Sequence, residues 1–125
     1  MIESVKRILV VDDQLLYLKS LELALKNDYE VTLSTQYTEA IQLLQESHFD
    51  IVLTDIRLDE DDDSNMDGIK ILEWIRMNKV ETSPFVMSAY TKFDYAEQSL
   101  NLGAKHFFKK PIDIISLKAI LKEKF

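Results

Sequence analysis

The sequence predicts an α/β fold in which a parallel β-sheet carries helices on both faces. Two observations lead to this prediction. Short apolar runs typical of strands alternate with stretches of helical period along all 125 residues, and several of the runs end at a carboxylate or hydroxyl side chain. Five strands alternating with five helices imply right-handed crossovers between parallel strands. With 46% hydrophobic residues the chain can bury one core, so a single domain over residues 1–125 is expected.

The first half of the chain contains three predicted strands and two predicted helices. The run at 8–11 is continuously apolar, which suits a strand buried on both faces, and leucines at helical spacing follow it until Asn27-Asp28 interrupts the pattern. Thr38 is expected to cap the second helix. The elements predicted here are a strand at 8–11, a helix at 15–26, a strand at 31–35, a helix that follows Thr38, and a strand at 51–55.

The second half of the chain continues the alternation. Gly68 opens a helix that runs through Ile75, and Gly103 follows the fourth helix at the position where a left-handed residue is favoured. The elements predicted here are a helix at 68–75, a strand at 84–88, a helix at 93–102, a strand that includes Phe107 and Phe108, and a helix at 113–125. The leucines and Trp74 are expected to form the core.

Composition excludes several classes of protein. The net charge of −7 disfavours binding to a polyanion, so direct binding of nucleic acid is not expected. The chain has no cysteine, which excludes disulfides and thiolate metal sites, and its two glycines cannot form a glycine-rich phosphate loop. The first apolar run is too short for a signal sequence or a spanning helix. The sequence therefore predicts a soluble cytoplasmic protein with no membrane association.

Polar side chains follow the predicted strands where those strands end. Asp12-Asp13 closes the first apolar run, Asp55 the third, Ser88 the fourth, and Lys110 follows the fifth. In an open parallel sheet, ligands bind beyond the carboxyl ends of the strands. Three carboxylates in one pocket repel each other, so they favour a metal or protons, and Mg²⁺ prefers such oxygen ligands. An adjacent amine and hydroxyl suit the oxygens of a phosphoryl group, so the sequence predicts a site for Mg²⁺ and phosphoryl transfer.

The ordered combination of these residues resembles the receiver domain of two-component response regulators over essentially the whole chain. The resemblance is carried by Asp12-Asp13, Asp55, Ser88-Ala89, Gly103-Ala104 and Lys110-Pro111. It implies a flavodoxin-like, doubly wound sheet of five parallel strands in the order 2-1-3-4-5, with helices on both faces. It also implies that residues 1–125 form one receiver domain acting in signal transduction.

The resemblance implies that Asp55 is the phosphoacceptor, which takes a phosphoryl group from a phosphohistidine on a sensor histidine kinase or a phosphotransfer protein. It implies that Asp13 and Asp55 ligate Mg²⁺ directly, that Asp12 acts mainly through metal-bound water, and that the backbone carbonyl of Arg57 completes the protein ligands. No enzyme activity is implied beyond the self-catalysed phosphorylation and dephosphorylation of Asp55.

The resemblance also implies a conformational switch. Lys110 would pair with one phosphoryl oxygen, and Ser88 would donate its hydroxyl to another. Phe107 takes the place of an aromatic switch residue, which turns inward when Ser88 moves and reorganises the surface of the fourth helix, fifth strand and fifth helix. An output partner or a phosphorylation-dependent dimer would use that surface, and dimerisation stays open. The Lys110-Pro111 bond is expected to be cis.

Other classes stay open at this stage. An aspartyl-phosphate phosphohydrolase of the haloacid dehalogenase type also uses a strand-ending aspartate, Mg²⁺ and a lysine, but it needs a second carboxylate at the position of Arg57. A flavin-binding electron carrier needs a hydroxyl-rich phosphate loop where this chain has Asp12 and Asp13. A pseudo-receiver that acts only as a binding module usually lacks the acids, which are all present here.

Two departures from the family pattern are visible. The acidic segment at 59–65, between Asp55 and Gly68, looks like an insertion. Its alternating acids faintly resemble a calcium loop, but the required glycine and closing glutamate are missing, so a solvated loop is expected. Phe107 replaces the commoner tyrosine, and the buried ring therefore has no hydroxyl to hydrogen-bond.

Overall fold

The computed structural model describes residues 5–59, 61–62, 64–89 and 93–125, and it contains five strands and five helices in alternation. They are β1 (Lys6–Val11), α1 (Leu15–Leu25), β2 (Tyr29–Ser34), α2 (Tyr37–Glu46), β3 (Ile51–Asp55), α3 (Asp67–Met77), β4 (Ser83–Ser88), α4 (Phe93–Asn101), β5 (Phe107–Lys109) and α5 (Ile114–Lys124). The predicted fold class is confirmed.

The five strands form one parallel sheet in the order β2-β1-β3-β4-β5, as the family resemblance implied. The registers align the carboxyl ends of neighbouring strands: Val11 pairs with Thr54, Asp55 with Met87, and Ser88 with Lys109. Side chains that follow these strands therefore meet at one edge of the sheet, which we call the carboxyl edge. The opposite edge, where the strands begin, is called the amino edge.

The core lies on both faces of the sheet, because side chains alternate between faces along each strand. Ile8 and Val10 of β1 belong to a cluster with the buried leucines of α1 and α5, whereas Leu9 and Val11 pack with residues of α2 and α3. A third cluster joins α3 to Val86 of β4 and to the end of α4. The continuously apolar run in β1 is therefore buried on both faces, as predicted.

Two details of the sequence interpretation are wrong. Not all leucines are core: Leu18, Leu21 and Leu25 are buried, but Leu16 is 87% exposed. Leu15 and Leu23 are also exposed. A helix that covers one face of a sheet buries only one stripe, and the many leucines of α1 occupy more than that stripe. Thr38 does not cap α2 either, since the helix begins at Tyr37 with Gln36 in the capping position.

Both glycines occupy positions that constrain the backbone. Gly68 lies so close to β3 that a Cβ atom there would be 1.9 Å from the carbonyl oxygen of Asp55. Its N–H donates to the carbonyl of Ile56 at 2.8 Å, so the start of α3 rests directly on the chain that follows β3. Gly103 has φ of +100°, the left-handed conformation predicted after α4.

The helices are short. Across the part of the chain that the structure describes, none is long and apolar enough to cross a membrane.

Candidate functional site

The carboxyl edge of the sheet brings together the three aspartates singled out in the sequence. One carboxylate oxygen from each of Asp12, Asp13 and Asp55 lies within 4.8 Å of the others. Asp12 and Asp55 are 0% and 2% exposed, and Asp13 is half-buried. Asp12 is held by the backbone N–H of Gln14, which donates to its Oδ1 atom at 2.9 Å. The position of this carboxylate is thereby fixed relative to the start of α1.

Lys110 reaches the same cluster from the end of β5. Its Nζ atom donates to Oδ2 of Asp12 at 2.7 Å and to Oδ2 of Asp55 at 2.9 Å. The lysine side chain is 7% exposed, so both ion pairs are largely shielded from water. The peptide bond from Lys110 to Pro111 is cis, as expected from the sequence.

The charges of the site favour binding of a cation. Burial, reinforced by the charge of Asp12, raises the pKa of Asp55 to about 7. Burial also raises the pKa of Asp12, although the hydrogen bond from Lys110 opposes the shift. Burial lowers the pKa of Lys110, but its hydrogen bonds and charge pairs with the two carboxylates outweigh that effect and raise it overall. Three carboxylates facing one ammonium thus hold excess negative charge, and hard oxygen donors of this kind fit Mg²⁺.

Ser88 lies beside this cluster at the end of β4. It is fully buried, and the β4–β5 register places it opposite Lys109. The backbone N–H of Lys110 donates to the Ser88 carbonyl at 2.9 Å, so the serine and the lysine are tied together through the backbone. Ser88 is therefore linked to the first residue after β5.

Phe107 and Phe108 point to opposite faces of the sheet. Phe108 packs in the α1–α5 cluster, with its ring centroid 6.2 Å from that of Phe85. Phe107 is half-buried and packs against the cluster that joins α3, Val86 and the end of α4. Val86 and Phe107 are also paired in the β4–β5 register, two residues before Ser88. The proposed switch residue is thus the one that faces α4.

Arg57 is buried beside the phosphoacceptor candidate. It is 4% exposed, and its backbone N–H donates to Oδ1 of Asp55 at 3.3 Å. Its charge also helps to lower the pKa of Asp62, after the larger effect of hydrogen bonds from Ser64, so the arginine lies near the acidic segment. The role of the Arg57 carbonyl as a metal ligand stays a prediction.

The acidic segment is organised by short-range hydrogen bonds where the structure describes it. The Oδ1 atom of Asn65 accepts from the backbone N–H of Leu58 at 2.9 Å and from that of Asp67 at 3.0 Å. Asp59 and Asp62 accept from backbone N–H groups two residues further on. Glu60 and Asp63, which belong to the predicted acidic insertion, lie outside the described residues. Asn65 thus links Leu58, which precedes the segment, to Asp67, which follows it.

Tyr17 is a site residue that sequence reasoning missed. Its ring lies against the lysine, with the Lys110 Nζ atom 4.5 Å from the ring centroid. Its hydroxyl oxygen accepts the backbone N–H of Ile112 at 3.1 Å. Burial raises the pKa of Tyr17, so the ring is neutral at ordinary pH. The sequence did offer one indication of this role: Tyr17 lies in the first turn of the helix that follows the two site aspartates.

Comparison with known proteins gives a consistent result. A sequence model of the response regulator receiver domain matches residues 8–122. Transcriptional regulatory protein ZraR of Klebsiella oxytoca is 35% identical over 117 residues, which cover 93% of this chain and 25% of that protein. Sporulation initiation phosphotransferase F of Bacillus subtilis (strain 168) is 29% identical over 119 residues, covering 94% of this chain and 92% of that protein.

A solved structure supports the same assignment. The receiver domain protein (CheY-like) of Methanospirillum hungatei JF-1 superimposes with a TM-score of 0.86 at 30% identity, covering 97% of this chain and 94% of that one. The chain spans about a quarter of the length of the curated regulators that match it first. Since the family model covers nearly the whole sequence and the site residues lie together at the carboxyl edge, the chain belongs to the response regulator receiver domain family.

Proposed function

We propose that this chain is a Mg²⁺-dependent phosphoacceptor, in which Asp55 takes a phosphoryl group from the phosphohistidine of a sensor histidine kinase or a phosphotransfer protein. The observation that carries the proposal is the placement of Asp55. Its buried carboxylate lies 2.9 Å from the Lys110 ammonium and within one cluster with Asp12 and Asp13. In this pocket Asp55 would act as the nucleophile, Lys110 would pair with the phosphoryl group, and the carboxylates of the cluster would serve as metal ligands.

The transfer requires one bond to form and one to break. An Oδ atom of Asp55 attacks phosphorus, the bond from phosphorus to the donor imidazole nitrogen breaks, and its electron pair returns to that nitrogen. Asp55 must be deprotonated to attack, and the Lys110 ammonium favours that state. The ammonium then moves from a carboxylate oxygen to a phosphoryl oxygen, as charge-assisted pairing favours.

A metal ion would complete the charge compensation. Asp13 and Asp55 would bind it directly, Asp12 mainly through water, and Arg57 through its carbonyl. Mg²⁺ supplies neutralisation of the phosphoryl charge and relieves repulsion among the acids. In such reactions, positioning and charge compensation are most of what a protein contributes.

Output would follow from Ser88 and Phe107. Ser88 would donate its hydroxyl to a phosphoryl oxygen. Phe107 of β5, which pairs with Val86 on the strand that carries Ser88, would move inward. The surface of α4, β5 and α5 would change as a result and bind an output partner or a second copy of the chain. The chemistry would be confined to Asp55 itself, without turnover of another substrate, and would occur in the cytoplasm without contact to nucleic acid or membrane.

Labelling by a small phosphodonor tests this proposal. With acetyl phosphate and Mg²⁺, the mass of the protein should rise by one phosphoryl group, and Asp55→Asn should abolish the gain. Asp28→Asn is the matched control, because Asp28 is an exposed aspartate that pairs with Lys118 at the amino edge. Equal labelling of the Asp55→Asn variant would contradict the proposal. Repeated turnover of a phosphoester would instead support a phosphohydrolase, which the buried Arg57 disfavours at the position of the second acid.

A further inference from the structure

The contacts of Tyr17 go beyond those of a core residue. Lys110 has a flexible four-carbon stem and three N–H donors on its ammonium. Two carboxylate oxygens take part in its ion pairs, at 2.7 and 2.9 Å, and the ring of Tyr17 covers the ammonium from a third side. The face of an aromatic ring attracts a cation electrostatically, and more strongly where water is excluded. The ring therefore limits where the ammonium can lie.

The hydroxyl of Tyr17 makes a second, independent contact on the same loop. It accepts the backbone N–H of Ile112, two residues after the lysine. One side chain thus holds both the ammonium of Lys110 and the backbone that connects β5 to α5. A leucine or phenylalanine could fill the same apolar space, but a leucine would make neither contact and a phenylalanine only the first.

Tyr17 is itself fixed with respect to the aspartates. It lies in the first turn of α1, and α1 begins directly after the segment in which Asp12 accepts the N–H of Gln14. Strands β1 and β5 are not neighbours in the sheet, since β3 and β4 lie between them. The tyrosine therefore spans from the strand end that carries Asp12 to the loop that carries Lys110.

We propose that Tyr17 is a positioning residue for phosphoryl transfer: it holds the Lys110 ammonium beside Asp55, within reach of an arriving phosphoryl oxygen. The inference deepens the proposed function and rests on it. Without the ring, the lysine stem would sample other rotamers and admit water, and the ammonium would be in place for a smaller fraction of encounters. The hydroxyl contact contributes less to this positioning, because it restrains the backbone of the loop and not the ammonium itself.

Three variants separate positioning from plain packing. Tyr17→Phe keeps the ring and removes the acceptor, whereas Tyr17→Leu removes both. Tyr29→Leu is the matched control, because Tyr29 is buried in the same core cluster but begins β2 at the amino edge, where its loss costs stability without approaching Lys110. If Tyr17→Leu does not fold, Tyr17→Met supplies a ring-free side chain of adaptable shape.

The first readout needs no phosphodonor. In protein with ¹³C-labelled lysine, the ε-methylene protons of Lys110 should be shifted upfield by the ring current of Tyr17. The shift should persist in Tyr17→Phe and Tyr29→Leu and disappear in Tyr17→Leu. The second readout is the rate of labelling by acetyl phosphate, which should fall roughly tenfold in Tyr17→Leu and only about twofold in Tyr17→Phe. Tyr29→Leu should retain the parent rate.

Two results would overturn the inference. One is an unchanged Lys110 methylene shift in Tyr17→Leu. The other is a loss of rate in Tyr29→Leu as large as that in Tyr17→Leu, which would assign the effect to general packing. If the parent protein takes up no phosphoryl group while the shift pattern is as expected, the proposed function fails and the lysine contact stands.

Discussion

The two edges of the sheet carry similar kinds of residues in different surroundings. At the amino edge, Arg7 pairs with Glu30 at 3.6 Å, and the two side chains are 34% and 65% exposed. At the carboxyl edge, Lys110 pairs with Asp12 and Asp55 at shorter distances, and all three side chains are nearly inaccessible. Water screens the first pair and hardly reaches the second. Ion pairs of the same charge types thus differ between the two edges in length and in exposure to water.

The largest effect should come from removing the buried cation. Lys110→Ala leaves Asp12 and Asp55 buried without their shared partner, so we expect labelling by acetyl phosphate to fall by at least about a hundredfold. The free energy of unfolding at pH 8 should fall by about 3 kcal/mol. Chemical denaturation measures the free energy of unfolding, and the control is Lys118→Ala, which removes a half-buried lysine from its ion pair with the exposed Asp28. A loss no greater than that of the control would mean that the carboxyl edge is as well screened as the amino edge.

The pH dependence of stability should be dominated by Asp55. Its folded pKa of about 7 exceeds the ordinary value of 3.8, so the folded state holds the proton more tightly. The stability from this group is present below about pH 4 and is lost as pH rises to about 7. In metal-free buffer, the free energy of unfolding of Asp55→Asn should therefore rise relative to that of the parent by about 2 to 4 kcal/mol as the pH increases from about 4 to about 7.

Urea denaturation at several pH values measures that difference. Asp28→Asn, at the amino edge, removes an exposed carboxylate and serves as the control. A constant offset between Asp55→Asn and the parent would show that Asp55 titrates alike in the folded and unfolded states, which contradicts the prediction.

The lifetime of the phosphorylated state should depend on Arg57. Guanidinium pairs readily with phosphoryl oxygens, so the buried Arg57, two residues after the proposed phosphoacceptor Asp55, would hold these oxygens and obstruct the attacking water. The family resemblance implies that the residues at the positions of Arg57 and Tyr90 flank the path by which water reaches the phosphoryl group. Tyr90, two residues after Ser88, lies outside the described residues. The decay of phospho-Asp55 should quicken by one to two orders of magnitude in an Arg57→Asn, Tyr90→Glu double variant, or about 1.4 to 2.7 kcal/mol in barrier. If the parent and the double variant decay at the same rate, Arg57 and Tyr90 do not set the lifetime, and the acidic segment would be tested next.

Mg²⁺ should stabilise the protein through the carboxyl edge. Millimolar Mg²⁺ should raise the free energy of unfolding by about 1 to 3 kcal/mol, because it binds the folded cluster and relieves its repulsion. Asp13→Asn should lose most of this gain, and Asp28→Asn should keep it. A thermal melt that does not respond to Mg²⁺, with phosphorylation undiminished by a chelator, would contradict the metal site.

The smallest effect is expected at the amino edge. Glu30→Gln removes the exposed partner of Arg7 and should change the free energy of unfolding by no more than about 0.5 kcal/mol. The change should be smaller still in 0.5 M salt, because a higher ionic strength shortens the screening length and weakens exposed ion pairs. A loss comparable to that of Lys110→Ala would remove the distinction between the two edges.

The sequence predicted what depends on local pattern and on strand geometry. Asp12, Asp13, Asp55 and Ser88 could be placed together because parallel strands end at the same edge of a sheet. The contact between Tyr17 and Ile112 could not be predicted, because it depends on how α1 packs beside the β5–α5 loop, which strand order does not determine.

The remaining differences concern which side of a helix is covered and where it starts. In α1, leucine occurs on more of the circumference than the sheet can cover, so composition alone does not distinguish buried Leu18 from exposed Leu16. The displacement of the α2 cap from Thr38 to Gln36 is two residues, within the ordinary uncertainty of helix ends.

The close approach of Gly68 to the Asp55 carbonyl has a consequence for how this part of the chain can change in evolution. The acidic segment leaves β3 and returns to α3 between two points that are held together by the hydrogen bond from Gly68 to Ile56. A loop closed on fixed ends loses entropy only slowly with length, by about 0.6 kcal/mol for each doubling. Residues can therefore be added or lost there at little thermodynamic cost, provided that position 68 keeps no side chain.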